Sequence, residues 1–155
     1  SPGCGVGGHC LAVDPWFLIH RVPKVTRLMQ TARLVNDAQP DWVVDRVLRH
    51  VKRFKQPHIA CLGLAYKPDI DDLRESPALE IALRLKKADV GVLHVVEPNL
   101  TSHPEFELVD LDQAVAQADI VLFLVDHRPF KRMAANLLAE KIVIDTCGTT
   151  QAANR

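Results

Sequence analysis

The stretch His58-Ile59-Ala60-Cys61-Leu62-Gly63-Leu64 is a short apolar run broken only by its glycine, and its reading decides the fold. Without polar alternation, and too short for a helix core, it fits a strand covered on both faces in a parallel sheet. Three runs of the same kind follow, Val90 to Val96, Ile120 to Val125 and Lys141 to Asp145. The segments between them have helical spacing. Ser76-Pro77-Ala78 starts one helix, because serine caps and proline fits the first helical position, and that helix should run to Lys87. Asp110 to Gln117 and Pro129 to Leu138 supply the others. Strand and helix in alternation predict an α/β, Rossmann-like parallel-sheet domain over residues 57–155.

Upstream, apolar residues recur at helical spacing from Lys24 to Phe54: Leu28, Ala32 and Val35 before Pro40, then Val43, Val44, Val47, Leu48 and Val51. This predicts a helical linker over residues 24–56, two helices meeting at Pro40 with Asn36, Asp37 and Asp41 as capping candidates. Residues 1–15 are glycine-rich and read as loop ending near Trp16, within an opening segment 1–23. A dense functional-looking loop with no element in front of it is expected to belong to a longer protein.

Bulk composition narrows the function. The 19 basic and 19 acidic residues balance without long blocks of either sign, which argues against nucleic acid or an anionic membrane as partner. No stretch reaches the roughly 20 apolar residues of a membrane span, and no secretory leader is legible, so a cytoplasmic location is expected. Cys4, Cys10, Cys61 and Cys147 are accordingly read as free thiols.

The chemistry concentrates in two loops. In Gly7-Gly8-His9-Cys10-Leu11-Ala12-Val13-Asp14 a thiol stands beside two glycines, with a carboxylate four residues on. A thiolate can add to an aldehyde, backbone NH groups beside glycine can approach an oxyanion, and a carboxylate can orient water. Spacing alone leaves Cys10 more often a small loop side chain than a nucleophile. Zinc on Cys4, His9 and Cys10 is weaker, since paired ligand spacing and a second pair are both missing. The other loop, Leu62-Gly63-Leu64-Ala65-Tyr66-Lys67-Pro68-Asp69-Ile70-Asp71-Asp72-Leu73-Arg74-Glu75-Ser76-Pro77, follows the first strand, the end of a parallel sheet where ligands bind. It holds no G-x-G-x-x-G fingerprint, and in an arbitrary domain Lys67 and Arg74 would be solvated charges.

Both loops resemble those of the UDP-glucose/GDP-mannose dehydrogenase family. The Gly5 to Phe17 segment is nearest to the branch acting on UDP-N-acetylmannosamine, with histidine before the cysteine and Asp-Pro-aromatic after it. Ala12-Val13 replaces the Pro-Lys of the UDP-glucose branch, so a lysine role does not transfer. The resemblance also covers Ala32-Arg33-x-x-Asn36-Asp37 and the strings Val95 to Asn99 and Val125 to Lys131. It implies Cys10 as nucleophile, Asp14 as the carboxylate activating water, and Gly7, Tyr66 and Lys67 as contacts to a UDP-sugar. It further implies that Arg74 reaches an NAD cofactor held mainly by an N-terminal NAD-binding domain absent from this chain, and that the linker builds a homodimer. Cys147 stands where relatives usually carry arginine or lysine, and is read as a lining residue. His127 is read as structural.

Overall fold

The computed structural model describes residues 2–152, so Ser1 and residues 153–155 of the two end segments lie outside it. Its element order is α1 (Asp14–Arg21), α2 (Arg27–Asp37), α3 (Gln39–Val51), β1 (His58–Leu62), α4 (Pro77–Lys87), β2 (Val92–Val96), α5 (Leu111–Gln117), β3 (Ile120–Phe123), α6 (Arg128–Lys131), a 3-10 turn (Ala135–Leu138), β4 (Ile142–Asp145) and α7 (Thr149–Ala152).

The four strands form one parallel sheet in the order β2-β1-β3-β4. Chain direction across the sheet reverses at β1, which is flanked by β2 and β3, and the crevice beyond the ends of β1 and β3 is therefore the place where such sheets bind ligands. Alternate residues cover opposite faces. Ile59, Cys61, Ile120, Leu122 and Ile144 pack against Val43 and Val47 of α3 and Ile81 and Leu85 of α4. Ala60, Leu62, Val121 and Phe123 pack against Ala114 of α5 and Phe130 of α6. Double-sided burial is the reason the strands read as unbroken apolar runs.

The α/β, Rossmann-like class stands, and four local expectations are corrected. The strands end earlier than their apolar runs, β1 at Leu62 and β3 at Phe123, because the chain must leave the ladder to build the ligand-side loops. The opening loop gives way to α1 at Asp14: the Cys10 carbonyl accepts from Val13 and Asp14 N at 3.2 and 2.8 Å, and Pro15 fits a first turn that needs no NH. None of the capping candidates caps α3, whose N-cap is Ala38; Asn36 Oδ1 accepts from Val6 N at 3.0 Å, and Asp37 pairs with Arg33. Finally, 129–138 is two short pieces. Phe130, Met133 and Leu138 all pack on the same face of the sheet, yet one helix would spread Met133 and Leu138 by roughly 140°, so the chain resets at Ala134.

Candidate functional site

Ser76 fixes the exit of the long loop after β1. Its hydroxyl donates to Leu64 O at 2.6 Å and accepts from Leu79 N at 3.3 Å, capping α4 while holding both ends of the loop together. The loop's entry is held by Glu97, in the turn after β2, whose Oε2 accepts from Leu64 N at 2.7 Å and Ala65 N at 3.0 Å. Tyr66 and Lys67 follow directly, half-buried and exposed respectively, with Lys67 Nζ 5.6 Å from the Tyr66 ring centroid.

The cysteine loop lies on this platform. Gly8 N donates to Arg74 O at 3.1 Å. At Gly7 a methyl group would meet Glu75 O at 2.3 Å and Tyr66 Cβ at 2.7 Å, and at Gly8, where φ is +84°, it would meet the Tyr66 ring at 2.8 Å. Two glycines are thus required for the loop to approach so closely. The result is a cleft of ≈ 390 Å³ at the ligand-side ends of the strands, walled by Gly3 to Gly7 on one side and Ala65 to Pro68 on the other, with Leu124 and Cys147 at its base. Gly7, Tyr66 and Lys67 line it together. A larger groove of ≈ 630 Å³ runs between α1, α2 and α4, but it holds none of the six candidate residues. The smaller cleft lies at the sheet's switch point and is the better ligand site.

Cys10 and Asp14 lie on the adjoining turn, both exposed. They meet through backbone, Asp14 N to Cys10 O at 2.8 Å, and among the described residues no side-chain hydrogen bond joins thiol and carboxylate. Cys10 is the one exposed thiol: Cys4 and Cys61 are buried and Cys147 half-buried. Burial pushes the thiols of Cys4 and Cys61 up to about 12 and that of Cys147 to about 11, so all three are poor nucleophiles at neutral pH. Arg74 lies on the rim. Its guanidinium forks the Asp72 carboxylate, with Nε 3.0 Å from both oxygens. Hydrogen bonds from Arg74 lower the Asp72 carboxyl to about 2.

This chain shows no dinucleotide cradle of its own among the described residues. Gly63, at φ +95°, gives its open side to Val125, whose Cβ a methyl group would meet at 2.5 Å, so the glycine serves a packing contact within the sheet. The turn after β1 leads into an extended loop and not a helix N-terminus.

The comparison that decides the family is with its UDP-binding domain. That domain, described as the UDP-glucose/GDP-mannose dehydrogenase family UDP binding domain, matches residues 60–152, and the same family's central domain matches residues 1–38. The chain belongs to the UDP-glucose/GDP-mannose dehydrogenase family. It is 49% identical over 152 residues to an NDP-N-acetyl-D-galactosaminuronic acid dehydrogenase of Ralstonia nicotianae, covering 96% of this chain and 36% of that protein. It is 48% identical over 161 residues to the UDP-N-acetyl-D-mannosamine dehydrogenase of Yersinia pestis, covering 96% and 38%. The solved UDP-N-acetyl-mannosamine dehydrogenase of S. aureus superposes with a TM-score of 0.81 at 36% identity, covering 96% of this chain and 36% of that one. The chain therefore spans little more than a third of the length of the relatives it matches.

Several residues that shape or line the cleft or its loops are not singled out by the sequence. Glu97 stands in a family-like string without a role, because Leu64, Ala65 and His127 lie some thirty residues away; an acid followed by proline at the end of an apolar run is the signal the sequence offers. The sequence reads Cys4 as a free thiol and a weak metal ligand, and Asn36 as a cap within a family-like string, and neither reading places them at the cleft. Among the described residues no group of three or more His, Cys, Asp or Glu is arranged to hold a metal ion. No helix among them is long and apolar enough to cross a membrane.

Proposed function

We propose that this chain is the UDP-sugar half of an NAD-dependent nucleotide-sugar 6-dehydrogenase that converts UDP-N-acetylmannosamine to the uronate. The observation that carries this reading is the seating of the Cys10 loop, through Gly7 and Gly8, on the Tyr66-Lys67 platform. That contact sets the loop of the proposed nucleophile beside the proposed phosphate-binding lysine, with Gly7 and Lys67 lining the same cleft. The relatives divide between mannosamine and galactosaminuronic names, so the N-acetylhexosamine class rests on both and the mannose configuration on the Cys10 loop's likeness. In this reading residues 1–23 complete the catalytic part, 24–56 link, and 57–155 bind the UDP-sugar. A reducing, cytoplasmic setting agrees with four free thiols.

Bound NAD would supply the hydride acceptor for two successive oxidations. Arg74, exposed on the rim, is the residue here that would reach it. The chain's own residues do the rest. Lys67 offers a compact charge to the diphosphate and Tyr66 packs along the sugar nucleotide. Cys10 Sγ adds to the C6 aldehyde to form a thiohemiacetal, whose oxidation leaves a thioester, and Asp14 directs water onto that carbonyl to release the acid and the thiol.

Calorimetric titration tests the binding half. UDP should bind the chain, and Lys67→Ala should weaken it by about 10- to 100-fold, the effect of losing one charged hydrogen bond. Equal affinity in both proteins would remove Lys67 from the site.

We also propose a homodimer, with a contact surface on α1 and α2 and not on the whole linker. Val43 and Val47 of α3 are buried against α4 within the chain, whereas Phe17 and Leu18 of α1 and Leu28, Leu34 and Val35 of α2 are exposed. Sedimentation equilibrium should show concentration-dependent dimer, weakened by Leu28→Asp; a strictly monomeric chain would sink this surface.

A further inference from the structure

Cys4 and Cys147 lie at opposite ends of the chain and meet at the base of the cleft. The thiol of Cys4 donates to Leu124 O at 3.5 Å and that of Cys147 donates to the same oxygen at 3.1 Å. Two sulfurs that share one carbonyl oxygen can be no farther apart than those two distances laid end to end. A disulfide, whose sulfurs are about 2.05 Å apart, requires each thiol to leave that shared oxygen and turn toward the other. Thr146 Oγ1, 3.4 Å from the Cys147 sulfur, is anchored on Phe123 O at 2.8 Å and holds the turn that carries Cys147 in place.

The location gives the pair a consequence. Cys4 is the last buried residue before the glycines of the nucleophile loop, and Cys147 follows β4 in the UDP-binding domain. Both side chains line the cleft that holds Tyr66 and Lys67. We propose that Cys4 and Cys147 are a redox-sensitive pair whose disulfide ties the start of the nucleophile loop to the end of β4 across the base of the cleft and so closes it to the nucleotide sugar. The closing rests on the proposed UDP-sugar site; the bond itself does not.

A hydroperoxide balances the step. The small thiolate fraction of Cys147, the less buried of the two and held to about 11, attacks the peroxide oxygen, breaking the O–O bond to give a sulfenic acid and one water or alcohol after proton uptake. The Cys4 thiol then displaces the sulfenic oxygen as water, so two thiols are oxidised to one disulfide while the hydroperoxide is reduced. A dithiol reverses it by two exchanges. Burial and the neighbouring Cys147 push the Cys4 thiol up to about 12, which makes formation slow at neutral pH. It also makes the closed disulfide hard to reduce once formed, because the competing thiolates are not stabilised.

The test uses the chain with Cys10→Ser, which removes the exposed thiol, treated with hydrogen peroxide and then alkylated. Tryptic mapping without reductant should show peptide 1–21 joined to peptide 142–155, and the link should vanish with Cys147→Ser and after dithiothreitol. UDP affinity should fall at least about tenfold on oxidation and return on reduction, with no response to peroxide in the Cys147→Ser protein. Alkylated Cys4 and Cys147 with no linked peptide would overturn the pair. A linked peptide with unchanged UDP affinity would overturn the closing. A reduced chain that never binds UDP would instead fail the UDP-sugar reading, while the mapping still judges the bond.

Discussion

Replacing Cys10 by serine, in an enzyme that carries this chain behind an NAD-binding domain, is expected to cut uronate formation by at least about a thousandfold. No other thiol of the chain can substitute. Cys4 and Cys61 are buried, and burial holds Cys147, at the base of the cleft, to about 11. A serine hydroxyl at position 10 is far less nucleophilic than a thiolate, and no side-chain hydrogen bond to a base is seen at that position among the described residues. The loop's seating depends on Gly7 and Gly8 and not on the sulfur, so the variant keeps its cleft and its UDP affinity. The first oxidation, from alcohol to aldehyde, needs no nucleophile and should persist. Product analysis beside NADH yield separates the two steps: aldehyde without acid is the expected outcome. Uronate at the normal rate would remove Cys10 from the chemistry and leave the loop a structural lid.

The parts of this molecule that could be read from sequence are those whose cause is local. β1 and β3 were legible because both faces of each strand are buried, so every residue from Ile59 to Leu62 and from Ile120 to Phe123 is apolar. The start of α4 was legible because Ser76 and Pro77 act on their own helix. At α1 the same kind of signal is ambiguous: Asp14 and Pro15 suit the end of a loop, but proline in a first turn is equally a helix start. What escaped was non-local. Asn36 has the chemistry of a cap, yet its carboxamide oxygen serves Val6, thirty residues away. Cys4 and Cys147 share the Leu124 carbonyl only because β4 joins the sheet beside β3. Site function sits on these long-range contacts, while the fold rests on the short-range pattern.

Glu97→Gln should destabilise the chain by about 2–4 kcal/mol at neutral pH, as expected when one side of a buried, charged hydrogen-bond network is removed. The Glu97 side chain is fully buried and accepts at both oxygens: Oε2 from Leu64 N and Ala65 N, and Oε1 from Asn99 N at 3.1 Å and Asn99 Nδ2 at 3.2 Å. His127 completes it. Asp69 N donates to His127 Nδ1 at 2.8 Å, which leaves Nε2 as the protonated nitrogen facing Glu97 Oε2 at 3.2 Å. Burial alone would push the Glu97 carboxyl up, but the hydrogen bonds from His127 and from Leu64 N outweigh it and bring it down to about 2. An unfolded glutamate titrates near 4.3, so the ionised form is favoured by folding. Its stabilisation is present in full above that value and is lost as pH falls through about 2. Urea unfolding should therefore show native stability declining between about pH 4 and pH 2, and the glutamine variant, already weaker at pH 7, losing less over that window. A glutamine amide must turn an NH2 toward at least one backbone donor, so the turn carrying Tyr66 and Lys67 loosens and UDP affinity falls with stability. If Glu97→Gln instead matched the parent at both pH 7 and pH 3, the loop after β1 would owe its shape to Ser76 alone.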